Sequence, residues 1–249
     1  MRIDTLSTFP DMFSSVMGAS MMRIAREKGI LDFHAHDLRD WTHDRHRTTD
    51  DEPYGGGHGL VMKCGPIFEA MDELAAEGPR PHVVFLAPQG ERFDDACAKR
   101  LAAEERLLFV CGHYEGIDER AYTLADTTLS IGDYVLTSGE LAAMVVIDAV
   151  VRKLPGVLGA EEGAVDESFN GGLLEYPQYT RPAEFRGMEV PAVLRSGDHG
   201  AVDAWRRRQS VERTARLRPD LLEGADLTPD ERAFLETLDA PCGDDAGAV

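Results

Sequence analysis

The sequence has no apolar run approaching the roughly eighteen residues that a membrane-spanning helix requires, so we expect no membrane span. Its first thirteen residues include acids and polar side chains where a secretory signal would need an apolar stretch. The four cysteines, Cys64, Cys97, Cys111 and Cys242, form no CxxC pair, as is typical of reduced thiols. Cys111 ends an apolar run and is interpreted as a buried thiol in preference to a nucleophile. These features predict a cytoplasmic protein.

Several motifs that identify common enzyme classes are also missing. The chain has no GxGxxG, which disfavours a nicotinamide dehydrogenase, and no GxSxG, which disfavours an α/β-hydrolase. It lacks HExxH and other known metal-ligand spacings, so we predict no metal-binding residues.

Basic side chains are few, since 26 Lys and Arg stand against 45 Asp and Glu, giving a formal net charge of −19. Averaged over the surface, that charge argues against nucleic-acid binding. The exception is the segment 205–218, which holds six arginines and one glutamate. Two interpretations stay open for this segment: a solvated helix face, or a strip that contacts RNA phosphates. We favour RNA contact.

Strand-like and helix-like segments alternate along the first two thirds of the chain. Strands are predicted at 2–9, 30–38, 82–87, 106–111 and 127–131, and helices at 11–28, 66–76, 94–103 and 139–153. Because 43% of the residues are hydrophobic, a sizeable core is expected. This order predicts an α/β domain with a mostly parallel sheet over residues 1–158.

The composition changes after residue 158. Residues 159–172 are acidic, small and glycine-rich, and predict a flexible acidic linker. Residues 173–249 then show a helical, arginine-rich pattern and predict a second, helical domain.

The longest segment without periodicity runs from Trp41 to Gly59, and loops of that length in a compact domain are usually functional. Glycines 55–57 lack the Lys-Ser/Thr of a phosphate-binding P-loop. Together with the basic residues 45–47 they predict a lid that reaches an anionic ligand, and a plain flexible loop is the alternative.

Three predicted strands end in glycine-bearing turns, at 86–90, 111–116 and 130–136. In open α/β sheets, ligands bind outside the carboxyl ends of the strands, where glycines let the backbone approach them. The three turns together predict a small-molecule pocket. The alternative is that each glycine serves only its own turn.

A family resemblance rests on seven motifs that stand in order along the chain: FPDMF, RDWTHDRHRTTDDEPYGGGHGLVM, LAPQG, VCGHYEGIDER, SIGDYVL, PGVLG and YTRP. In this order they resemble the bacterial tRNA (guanine-37-N1)-methyltransferase family, and HYEGIDER and SIGDYVL are the most specific of them. The resemblance implies an α/β fold of the SPOUT type, whose parallel sheet carries a C-terminal trefoil knot and is followed by a small helical C-terminal domain. Periodicity alone would not predict a knot, because threaded chains are rare.

The resemblance also implies an activity: transfer of a methyl group from S-adenosylmethionine to N1 of guanine 37 in tRNA. The matching positions for binding the methyl donor lie in the three glycine turns and are Leu86, Ala87, Pro88, Gly112, Gly116, Ser130, Ile131, Gly132, Asp133, Tyr134, Val135 and Leu136. The family further implies a homodimer with shared active sites, and Mg²⁺ as an aid to catalysis.

The implied catalytic positions are less regular. Arg152 matches an arginine that balances charge on guanine O6, and the acid before Ser168 matches the general base that removes the N1 proton. That acid is Glu167, where the family usually has aspartate, and Asp166 precedes it, so either side chain remains a candidate. Without the resemblance, both acids would be interpreted as solvated charges and Arg152 as a complement to the helix dipole.

Substrate binding is implied at Glu115, which matches a residue that contacts the target guanine, and at Arg206, Arg207 and Arg208, which are expected to grip the tRNA backbone. Two other functions stay open. One is a different nucleotide-dependent enzyme that uses the same pocket, and the other is a catalytically silent RNA-binding module.

Overall fold

The computed structural model describes residues 1–158 and 167–239. Their contacts form two compact units, Met1–Gly159 and Ala160–Val249. Asp166, Cys242 and most of the predicted linker lie outside the described residues. None of the described helices has both the length and the apolar character needed to cross a membrane.

The first unit is built on a five-stranded sheet with the order β2-β1-β6-β5-β7. All of its strand pairs are parallel, which confirms the predicted α/β class. A separate antiparallel pair is formed by β3 and β4. The strands are β1 (Arg2–Ser7), β2 (Asp32–Asp37), β3 (Asp50–Asp51), β4 (Val61–Met62), β5 (His82–Arg92), β6 (Arg106–Val110) and β7 (Thr127–Ser130).

Helices cover both faces of this sheet, because successive side chains of the buried strands point to opposite sides. In β6, Leu107 and Phe109 pack into one core, and Leu108 and Val110 pack into the other. The helices are α1 (Ser14–Met17), α2 (Ser20–Glu27), α3 (Cys64–Ala76), α4 (Asp95–Ala102) and α5 (Gly139–Val151). Helices α1, α2, α4 and α5 contribute to the first core and α3 to the second.

Three elements differ from the sequence prediction. The single helix predicted over 11–28 is wrong: a 3-10 turn at Pro10–Phe13 leads into α1, and the chain then breaks at Gly18 before α2 begins. The break follows from Ala19, whose backbone is extended. Strand β5 continues to Arg92 because it pairs with β7 a second time beyond a bulge. The long predicted loop contains β3, which pairs with β4.

The second unit is mostly helical. It contains a two-stranded hairpin and two helices: β8 (Glu184–Phe185), β9 (Met188–Glu189), α6 (His199–Leu217) and α7 (Pro229–Asp239). Asp198 caps α6 by accepting a hydrogen bond from the Ala201 N–H over 3.1 Å. A small core of Leu173, Val211, Ala225 and Leu227 holds the helices to the turn at 167–173.

Candidate functional site

A cleft with an empty volume of about 760 Å³ opens at the carboxyl ends of β5, β6 and β7. These strands are neighbours in the order β6-β5-β7, so their terminal turns meet. Eleven of the twelve positions predicted for the methyl donor line it: Leu86, Ala87, Pro88, Gly112, Gly116, Ser130, Ile131, Gly132, Tyr134, Val135 and Leu136.

The exception is Asp133, which is exposed and does not line the cleft. It lies in a tight turn in which the Tyr134 N–H bonds the Gly132 carbonyl over 2.9 Å. The backbone of Gly132 has φ +150°, and a Cβ built there would lie 2.6 Å from the Tyr134 ring. This turn therefore requires glycine.

Close approach of the backbone also defines the part of the cleft at the end of β6. The Gly139 N–H donates to the Gly112 carbonyl over 2.7 Å and brings the first residue of α5 against the end of β6. A Cβ at Gly139 would lie 2.8 Å from the Gly112 nitrogen and 3.0 Å from the Cys111 Cα. Three consecutive residues around this contact, Thr137–Gly139, line the cleft and were absent from the sequence prediction.

Two aromatic residues of the HYEG motif also line the cleft, and sequence reasoning assigned them no role. The His113 ring lies 5.0 Å from the Phe9 ring, and its Nδ1 is buried without a partner among the described residues. The backbone of Tyr114 has φ +58°. Burial raises the pKa of the Tyr114 hydroxyl, and the hydrogen bond with Asp50 raises it further. Their position directly after Gly112, within the motif HYEGIDER, was the sequence signal for them.

Glu115 lines the cleft and joins it to the predicted glycine loop. Its N–H donates to the Leu60 carbonyl over 3.0 Å. A Cβ at Gly59 would overlap the Glu115 carboxylate, and the backbone of Gly59 has φ +83°. The end of the glycine loop thus lies against Glu115.

The rest of that loop is held by its own polar contacts. The Asp44 carboxylate accepts hydrogen bonds from the Thr48 hydroxyl and from the backbone N–H groups of Thr48 and His46. These bonds, of which that from the Thr48 hydroxyl has the largest effect, lower the pKa of Asp44 to about 2. Arg47 pairs with Asp40. Within residues 1–158 and 167–239, no group of three or more His, Cys, Asp or Glu side chains is placed to hold a metal ion.

The predicted catalytic residues lie in separate parts of the chain. Arg152 is the C-cap of α5, is half-buried and does not line the cleft. Glu167 belongs to the second unit, where its carbonyl accepts a hydrogen bond from the Asn170 N–H over 3.1 Å. Glu167 lines a polar cavity there together with Tyr176 and Arg206. The other candidate base, Asp166, is outside the described residues.

The three predicted tRNA-binding arginines differ in their contacts. Arg206 lies over the Tyr176 ring at 4.9 Å, and Arg208 lies over the Phe234 ring at 4.3 Å. Arg207 instead makes a two-point ion pair with Glu231, at 2.6 and 3.1 Å. The sequence prediction counted Glu212 as the only acid partner within this strip, but α7 supplies another.

Comparison with known proteins identifies the family of this chain. The family described as tRNA (Guanine-1)-methyltransferase TrmD matches residues 1–224. The chain is similar to the tRNA (guanine-N(1)-)-methyltransferase of Moorella thermoacetica, with 53% identity over 241 residues and 96% of each chain covered. It is similarly related to the enzymes of the same name from Shouchella clausii, with 53% identity over 96% of this chain and 98% of the relative, and from Geotalea uraniireducens, with 51% identity over 98% and 100%. The cleft, the ordered motifs and these matches lead to one conclusion: the chain belongs to the tRNA (guanine-1)-methyltransferase family.

Proposed function

We propose that this protein transfers a methyl group from S-adenosylmethionine to N1 of guanine 37 in tRNA, beside the anticodon. Membership of the family supports the reaction. The observation that carries the assignment of the site is the cleft, which collects eleven predicted donor-binding positions from three separate strand ends. The relatives' names, which describe tRNA-modifying enzymes, support a cytoplasmic location.

The cleft has the properties that S-adenosylmethionine needs. Its walls at Gly112, Gly132 and Gly139 are backbone, which suits a ligand bound through N–H and carbonyl groups. Leu86 and Ile131 supply apolar surface for the adenine ring. When bound, the sulfonium supplies an activated methyl group.

The remaining chemistry falls to acid and base side chains. Guanine N1 carries a proton and is a poor nucleophile until that proton leaves. We assign its removal to Glu167, or to Asp166 if the chain is shifted by one residue, and we assign the charge on O6 to Arg152. Glu115 is proposed to contact the guanine, supported by its place on the rim of the cleft beside Gly59.

We further propose that residues 1–158 form the catalytic domain, residues 159–172 the linker and residues 173–249 the tRNA-binding domain. The tRNA-binding domain would hold the anticodon stem, and the catalytic domain would carry a trefoil knot. The path of the chain supports the knot, because after β7 it returns past β5 to place Gly139 against the end of β6. Phosphate contacts by Arg206 and Arg208 would position the RNA without reading its sequence.

A homodimer with shared active sites is proposed on the basis of an exposed apolar surface. Leu141 and Val145 lie one turn apart on α5 and are 46% and 52% exposed. Helix α5 contacts the turn that carries Met12, and Phe9 and Val16 flank that turn with similar exposure. Apolar patches of this kind mark protein interfaces. Val145→Glu should convert a dimer to a monomer in light scattering, and a wild-type monomer would contradict the proposal.

The role of Mg²⁺ stays a prediction. Because the described residues offer no metal-binding cluster, we assign it no protein ligands. Measuring the methylation rate in EDTA, with Mg²⁺ then added back, tests whether the ion is required.

Transfer of labelled methyl from S-adenosylmethionine to tRNA transcripts tests the proposed function directly. We expect labelling of a transcript with guanine at position 37 and none when that base is replaced.

S-adenosylmethionine should also raise the melting temperature of the wild type. Gly132→Leu should abolish that rise, because the side chain would enter the turn, whereas Gly65→Ala, with no atom within 4 Å, should preserve it. Binding of tRNA without methyl transfer would favour a silent RNA-binding module, and a shift caused only by NAD or ATP would favour another enzyme.

A further inference from the structure

A buried carboxylate lies behind the cleft and has no role in the reaction described above. Glu140, in the first turn of α5, has 0% of its surface exposed. Its Oε1 accepts a hydrogen bond from the Ser7 hydroxyl over 2.6 Å. Its Oε2 is buried and has no hydrogen-bond partner among the described residues. Ser7 ends β1, so this contact joins two elements 133 residues apart in sequence.

Such a side chain is costly to keep in a core. A buried charge is destabilising unless it is paired and hydrogen-bonded, and Glu140 has one side-chain donor. Its place in the first turn of α5 helps, because the helix dipole favours a negative charge there. An apolar side chain would pack in the same volume without this penalty, so stability alone does not account for the carboxylate.

The contacts of Ser7 lead from Glu140 to the cleft. The Ser7 Oγ also accepts the Phe9 backbone N–H over 2.8 Å, which holds the chain as it leaves β1. The Phe9 ring then lies 5.0 Å from the ring of His113, which lines the cleft. On its other side Glu140 follows Gly139, whose N–H bonds the Gly112 carbonyl over 2.7 Å. Glu140 therefore contacts or adjoins two supports of the same part of the cleft, the turn of Gly112 and His113 after β6.

We infer that Glu140 is a positioning residue: its hydrogen bond to Ser7 fixes the β1 end and the start of α5 so that His113 and Gly112 hold the donor-binding cleft in its binding shape. This inference rests on the proposed function, since it takes S-adenosylmethionine as the ligand of the cleft. Glu140 itself touches no ligand in this account. Its effect passes through Ser7 and Phe9 on one side and Gly139 on the other.

The test measures S-adenosylmethionine affinity by calorimetry in the full chain, with the KM and kcat of methylation. Glu140→Ala should weaken binding by about tenfold to a hundredfold, the range expected for one hydrogen bond to a charged group, and should raise KM by a similar factor while kcat changes little. Ser7→Ala should act in the same direction. The loss in the double variant Ser7→Ala/Glu140→Ala should be smaller than the sum of the two single losses, because either change removes the Ser7–Glu140 contact, and Ser7→Ala also removes the bond to the Phe9 N–H. Glu140→Gln, which keeps an oxygen that can accept from Ser7, should recover part of the affinity.

A stability control separates positioning from general loss of structure. Asp94 caps α4 by accepting the Cys97 N–H over 2.8 Å, and it does not line the cleft. Asp94→Ala should lower the melting temperature and leave S-adenosylmethionine affinity unchanged. Normal affinity in Glu140→Ala, or additive effects of the Ser7 and Glu140 changes, would overturn the inference. A wild-type protein that does not bind S-adenosylmethionine would instead overturn the proposed function.

Discussion

The N–H of Gly139 and the carbonyl of Gly112, 2.7 Å apart, join the first residue of α5 to the turn after β6. The first prediction follows from this contact. Gly139→Ala would place a Cβ 2.8 Å from the Gly112 nitrogen, which is backbone and cannot rotate away. We expect lower stability and loss of the melting-temperature rise caused by S-adenosylmethionine. Gly65→Ala is the control in the first turn of α3, where an added Cβ has no atom within 4 Å beyond its chain neighbours and donor binding should be preserved. Normal donor binding by Gly139→Ala would mean that this wall can move.

The second prediction concerns the general base. If Glu167 removes the N1 proton, Glu167→Gln should lower the single-turnover methylation rate by about a hundredfold to ten-thousandfold. Asp166→Asn should then be mild, and Arg152→Ala should be severe in either case. Rapid-quench assays with saturating donor measure these rates. The opposite ranking of the two acids would assign the base to Asp166, and near-normal rates in both would remove the acids from the proposed mechanism.

The third prediction concerns the arginine strip. Arg207 pairs with Glu231 and holds the pKa of that carboxyl down to about 2, so its charge is used within the second unit. Arg207→Ala should therefore lower stability and change the salt dependence of tRNA binding little.

Arg213 is exposed and makes no ion pair among the residues the structure describes. Arg213→Ala and Arg208→Ala should each reduce the slope of log K against log salt by about 0.7–0.9 if they contact phosphate. A large slope change from Arg207→Ala alone would contradict this division.

The fourth prediction concerns pH and a charge buried in β1. Asp4 is fully buried. Its carboxylate oxygens lie 2.9 Å from side-chain nitrogens of Arg2, His36 and Arg106. Burial by itself would raise the pKa of Asp4, but the hydrogen bonds from these three side chains hold it well below its usual range. Because the pKa is lowered by folding, the stabilisation is fully present above pH of about 4 and is lost as the pH falls towards the folded-state pKa.

Asp4→Asn should therefore reduce the free energy of unfolding by about 3–5 kcal/mol at pH 7, because the Arg106 charge stays buried. The difference from wild type should shrink in denaturant titrations below pH 4. Glu27→Gln is the control, since the Arg23–Glu27 pair is exposed and its loss should cost less than about 1 kcal/mol. A pH-independent difference between Asp4→Asn and wild type would contradict the assigned charge state.

The sequence predicted those parts of the fold that depend on local patterns. The buried runs of β1 and β6 and the periodic helices α3 and α5 lie within a few residues of their predicted bounds. The cleft was accessible to sequence reasoning because parallel strands bring their carboxyl ends together, so three glycine turns had to meet. The exposed position of Asp133 could not be predicted from the sequence, because the direction of a side chain in a turn depends on dihedral angles that composition does not determine.

Contacts between distant segments were also beyond sequence reasoning. The pair between Arg207 and Glu231 depends on how α7 packs against α6. The contact of Ser7 with Glu140 depends on α5 returning to the end of β1. No local period encodes either contact, and only the path of the whole chain brings these residues together.

The bulge in β5 ties the length of one wall of the cleft to the pairing of β5 with β7. Leu86 and Glu91 both lie opposite Leu129, so the four residues between them form a loop anchored at both ends by the same partner strand. Gly90 within it runs so close to β7 that a Cβ would lie 2.5 Å from the Leu129 nitrogen. A change of length that shifted the pairing of Glu91 with Leu129 by one residue would turn Glu91 and Arg92 to the opposite face of the sheet, since side chains alternate along a strand. Point substitutions at Ala87 and Pro88 change only the lining of the cleft, whereas a change in the length of this segment acts on the pairing of β5 with β7.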